Sequence, residues 1–128
     1  MIDLIADARR RYVTALVLYR NVNNDNNNLS LAEASLRDII STFADIEPKP
    51  QIYNEAKEAH DKICLELKER IEYLKNNAQV ANKAGDTEAL KKILVKIMTL
   101  TTYPTQEDYI WAKKRLLYIS GIIQDVKK

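Results

Sequence analysis

The chain has 128 residues, 46% hydrophobic and 30% charged, with a formal net charge of +2. It is too apolar for a disordered chain and too nearly neutral to demand a polyanionic partner. With 2 glycines and 3 prolines it is too poor in turn formers for a turn-rich β fold.

The length fits a single all-helical domain spanning 1–128. One cysteine, Cys64, excludes an internal disulfide and fits a reducing compartment. No apolar run resembles a signal peptide or a membrane span. The expectation is therefore a cytoplasmic protein without membrane contact.

The first helix is predicted over residues 2–22. Ile5, Ala8, Tyr12, Ala15, Tyr19 and Val22 alternate steps of three and four, which places them on one face. The segment from Ala15 to Tyr19 is apolar all round, as expected for a buried end or a contact. Arg10 and Arg11 point away from the stripe and read as a solvated basic face. Residues 21–29 form an asparagine-rich stretch, expected to be a flexible loop because Asn and Asp favour turns.

Ser30 is predicted to open the second helix. With Glu33 three residues on it makes a capping box, and Leu29 is placed to staple onto Ala34. Ala32, Leu36, Ile39, Phe43 and Ile46 give the inner stripe, and Pro48 and Pro50 end the helix.

A long central helix is predicted over about 50–84. Its apolar or small positions are Ala56, Ile63, Leu67, Ile71, Leu74, Ala78 and Ala81. Glu58, Lys62, Glu66 and Arg70 alternate in sign at steps of four, a pattern of solvated faces. At this length a kink near Asn76–Asn77 or a protruding end is expected. Lys83 and Gly85 read as the stop.

Asp86 or Thr87 caps the fourth helix, whose inner face is Leu90, Ile93, Leu94, Ile97 and Leu100. It ends before Pro104. Thr105 with Asp108 begins the fifth helix, whose inner stripe is predicted as Tyr109, Ala112, Leu116, Ile119, Ile123 and Val126. One internal echo stands out. Pro48, Tyr53, Ala56, Lys57 and Ile63 recur as Pro104, Tyr109, Ala112, Lys113 and Ile119, and each pair keeps the same spacing. This suggests two helix–Pro–helix units.

Candidate chemistry is sparse. His60 and Cys64 stand four apart, so both can face one point. They make at most half of a zinc site, since the chain has no other histidine or cysteine. Both fall on the inner stripe, so a core cysteine with a hydrogen-bonded histidine is the plainer reading. No glycine-rich phosphate loop and no nucleophile elbow occur. No catalytic residue, metal or cofactor is expected.

Two surfaces invite a partner. Trp111 and Tyr118, seven apart, flank Lys114 and Arg115, and aromatics with Arg suit interface hot spots. The alternative is that the aromatics bury against another helix while the cations reach solvent. Leu65 and Tyr73 on the long helix fall off its stripe and pose the same question. Residues 79–128 carry nine basic and five acidic groups. Lys92, Lys96, Lys113, Lys114, Arg115, Lys127 and Lys128 could make unspecific phosphate contacts there.

The sequence thus reads as all-α: about five helices in a bundle or stacked hairpins. The leading function is a non-catalytic protein-interaction module, binding another protein or itself. The alternative is a nucleic-acid accessory protein.

Overall fold

A computed structural model describes residues 2–25, 27–102 and 106–121. Five helices are described: α1 (Ile2–Arg20), α2 (Asn27–Thr42), α3 (Gln51–Lys83), α4 (Thr87–Leu100) and α5 (Gln106–Ile119). Among the described residues there is no strand, and no helix is long and apolar enough to cross a membrane.

The chain divides into two compact units, 1–66 and 67–128, with α3 contributing its first part to one and its last part to the other. Each unit therefore contains three helical segments. In the first, α1 packs closely on α2; in the second, α4 packs closely on α5.

The core of the first unit follows the predicted stripes. Ala8, Ala15 and Val22 of the first segment meet Leu29, Ala32, Leu36, Ile39 and Phe43, with Ile52, Ala56 and Ile63 from α3 also buried. The apolar end of α1 is not sealed throughout: Val13 and Val17 are 59% and 48% exposed. Arg10 and Arg11 lie in solvent, each paired with Asp7 at 3.4 and 3.1 Å.

The start of α2 differs from the capping-box reading. The helix begins at Asn27, inside the stretch expected to be loop. The Asp25 side chain accepts from the Asn27 N–H at 2.9 Å, and the Asp25 carbonyl accepts from the Asn28 N–H at 3.0 Å. Asp25 thus nucleates the helix before Ser30 can, which frees Glu33 from a capping role. Leu29 is fully buried on the inner face rather than outside the helix.

Lys49 finishes the other end of α2. Its ammonium donates to the carbonyls of Phe43, Ala44 and Ile46 at 2.9, 2.6 and 2.9 Å. These carbonyls lie in the turn just past the last residue of α2, where no further helical turn can reach them; among the described residues only that of Phe43 also accepts a backbone bond, from the Ile46 N–H at 3.2 Å.

α3 is helical without interruption through Asn76–Asn77, 33 residues in all. At ~1.5 Å per residue it is about 50 Å long. Its stop is the expected glycine. Gly85 adopts φ +70°, and the Asp86 and Gly85 N–H groups donate back to the carbonyls of Ala81 and Asn82 at 3.0 and 3.1 Å. This double bond pattern needs a left-handed residue, which glycine supplies without a Cβ clash. Asp86 then caps α4, its side chain accepting from the Ala89 N–H at 3.1 Å.

The second core comprises Leu67, Ile71, Ala78 and Ala81 with Leu90, Leu94, Ile97, Leu100 and Ala112. The echo at Pro104, and the inner positions Ile123 and Val126, lie outside the described residues.

Candidate functional site

Trp111 is half-buried, not free. In α5 its ring is covered on two accounts. The Arg115 guanidinium lies 4.0 Å from the ring centroid, and the Lys75 ammonium of α3 lies 5.1 Å from it. Lys75 also donates to Asp108 at 3.1 Å. Arg115 Nη1 donates to the Trp111 carbonyl at 3.4 Å. A cation over an indole face is attracted by the ring quadrupole, more so where water is partly excluded.

This set widens the predicted inner face of α5, which keeps Ala112 and Ile119, gains Trp111 and Arg115, and loses Tyr109. Asp108, Trp111, Ala112, Arg115 and Ile119 share the side turned toward the rest of the second unit, whereas Tyr109, expected inside, is 38% exposed. Apolar residues occur all round α5, so several stripes fit the sequence equally well. Contacts with Lys75 and Ala78 of α3 select among them.

Trp111, Arg115, Tyr118 and Ile119 of α5 enclose a cavity of about 170 Å³ with Ala78 of α3 and Leu90 of α4. Tyr118 stands at its edge, 47% exposed. Partial burial lowers the pKa of Arg115 from its usual value by desolvation. The guanidinium still stays charged at neutral pH. It has no carboxylate partner among the described residues.

The other predicted surface residues do not join this cavity. Lys114 is exposed on the far side of α5, and Lys113 is exposed near the Tyr109 ring, 5.9 Å from its centroid. Lys92 and Lys96 are exposed on α4. Leu65 and Tyr73 are 60% and 66% exposed, one in each unit. Lys127 and Lys128 lie outside the described residues.

A second cluster lies in the first unit, where His60 and Cys64 are joined by a third donor, Glu33. Glu33 of α2 is completely buried. His60 Nε2 donates to its Oε2 at 2.8 Å, and Arg37 Nη2 lies 3.3 Å from Oε1. Cys64 Sγ is 3.6 Å from His60 Nδ1 and 3.7 Å from Nε2. A sulfur equidistant from both ring nitrogens sits over the ring, out of line with either in-plane lone pair. That geometry does not activate a thiol through its neighbouring base. The sequence obscured Glu33 because the residue completes a local capping pattern and lies far from His60 along the chain.

Comparison of the chain with protein-family models, with characterised proteins and with solved structures finds no match.

Proposed function

We propose that the chain is a non-catalytic helical interaction module, and that the α5 side of its second unit receives a short segment of a partner protein. The observation that carries this reading is the Arg115 guanidinium. It is partly buried, lacks a carboxylate partner among the described residues, and borders an apolar cavity lined by Trp111 and Tyr118.

The size of the cavity bears on the choice of occupant. The cavity shares Gln79, Asn82, Trp111 and Arg115 with a second hollow of about 310 Å³, and at about 170 Å³ it is by itself smaller than the ~300–1,000 Å³ typical of small-molecule sites. It suits one apolar side chain. A carboxylate beside that side chain would meet Arg115, whose planar fork suits bidentate pairing. Tryptophan, tyrosine and arginine are the residues most enriched at interface hot spots.

The test is comparative capture. The wild-type chain and an Arg115→Glu/Tyr118→Ala variant, shown by circular dichroism to be equally helical, are used as bait in native lysate. Proteins held by the wild type should be depleted at least tenfold by the variant. Equal recovery on both baits would remove this surface from the proposal.

A second reading rests on Lys92, Lys96 and Lys114, which are exposed and make no ion pair among the described residues. They suit unspecific phosphate contacts. A salt-titrated binding assay with DNA and RNA separates the two readings. Binding that falls steeply with salt and is weakened by Lys92→Gln/Lys96→Gln favours nucleic acid; no binding at low salt removes it.

A further inference from the structure

We propose that Glu33, His60 and Cys64 form a binding site for a thiophilic divalent cation of the zinc class. One oxygen, one nitrogen and one sulfur, from a carboxylate, an imidazole and a thiol, lie within 4.8 Å of one another. The site is built by two helices. His60 and Cys64 share a face of α3 one turn apart, and Glu33 faces them from α2.

The sulfur–nitrogen separation already matches the ion, and the other two need small adjustments. Zinc–ligand bonds of about 2.0–2.3 Å in a tetrahedral arrangement put ligand atoms roughly 3.3–3.7 Å apart. Sγ and the imidazole nitrogens are already 3.6 and 3.7 Å apart. Oε2 and Nε2, at 2.8 Å, are held together by a shared proton and separate slightly when an ion takes its place. The ring must turn so that a nitrogen lone pair, rather than its face, addresses the ion. Coordination through Nε2 releases the thiol proton to solvent and moves the ring proton from Nε2 to Nδ1, so that the imidazole binds as a neutral ligand.

Burial supplies a second, independent indication. Oε1 of Glu33 is buried and accepts no hydrogen bond, although Arg37 attracts it at 3.3 Å. A completely buried carboxylate short of a hydrogen bond is costly in a protein without a compensating charge. Arg37 supplies one compensating charge at Oε1, and a cation bound at Oε2 would supply a second. Arg37 would orient the carboxylate from outside, as partners of metal ligands do. His60 is 17% exposed, which leaves an edge through which water can complete the coordination. The donor set discriminates as well. Magnesium and calcium want oxygen ligands, while sulfur with imidazole suits zinc, cobalt or copper.

The test uses the full chain, freed of metal by chelation, titrated with Co²⁺ and then with Zn²⁺. The expected result is one Co²⁺ per chain. It should show a thiolate-to-cobalt charge-transfer band, the strong visible absorption of four-coordinate cobalt, and bleaching by Zn²⁺. Cys64→Ser should abolish the charge-transfer band. His60→Gln and Glu33→Gln should each weaken Zn²⁺ binding at least tenfold, while Asp61→Asn should leave it unchanged. Absence of the band in the wild-type chain overturns the proposal. So does unchanged affinity in His60→Gln, which would mean that the thiol binds metal alone. If Glu33→Gln does not fold, Cys64→Ser and His60→Gln carry the test.

Discussion

Glu33 has no solvent contact, an unusual position for a carboxylate. Its partners His60 and Arg37 explain how it is accommodated, because a buried charge is tolerated only when paired and hydrogen-bonded. Glu33→Ala removes one partner and leaves the imidazole facing a cavity. In chelated protein the loss of stability should be about 3 kcal/mol, read from urea unfolding. A change below about 0.5 kcal/mol, the usual range for surface substitutions, would mean that water replaces the carboxylate without cost. The residue scale was also the least legible in the sequence. The inner positions of α1, α2 and α4 followed from spacing alone, since one-sided burial needs a repeat of three and four. Glu33, Trp111 and Arg115 did not, because a polar or amphipathic side chain is placed by a partner on another helix. Lys75 and His60 are such partners, and nothing local in the sequence points to them.

At the scale of elements, a helix end is legible in the sequence where its signal is a single local residue. Gly85 and Asp86 act in turn: glycine closes α3 through its positive φ, and the aspartate, already bonded back to Ala81, opens α4. Both roles are local, so residue type reveals them. Asp86→Ala should lower stability by about 1 kcal/mol, seen as a shift of the denaturant midpoint without a change in slope. A shift in slope would instead indicate a change in how much surface unfolding exposes. The opening of α2 shows the limit of such local reading. Asp25 and Ser30 are both capping residues, and each is followed by residues compatible with a helix. Asp25 lies first and has the bonds, so the asparagine-rich stretch contributes its last residues to the helix. The turn after α2 depends on Lys49, whose ammonium reaches the carbonyls of Phe43, Ala44 and Ile46 from between two prolines that lack an N–H of their own.

The molecule as a whole places the sequence echo in a physical setting. Each unit has three helical segments in the same chain order, and α3 serves as the third segment of one and the first of the other. Ala56 and Ala112, which match in the echo, are both fully buried. The groove between the first and third segments of unit 1 uses Glu55, Ala59 and Lys62; in unit 2 the matching positions Trp111, Arg115 and Tyr118 line the cavity. At these three matching positions unit 1 carries Glu55, Ala59 and Lys62 beside Tyr12 and Tyr19 of α1, whereas unit 2 carries two aromatics and an arginine. Two cores joined through one helix also predict how the protein opens. Leu36 and Leu94 are completely buried, one in each core. Truncating either to alanine should cost about 2–5 kcal/mol in its own unit. Hydrogen exchange followed by mass spectrometry locates the effect, because local opening exposes amides unit by unit. Leu94→Ala should speed exchange in α4 and α5 while α1 and α2 keep most of their protection, and Leu36→Ala should do the reverse. Equal acceleration in all four helices would show that the shared helix makes the two cores one cooperative unit. The stability of α3 would then set that of the whole chain.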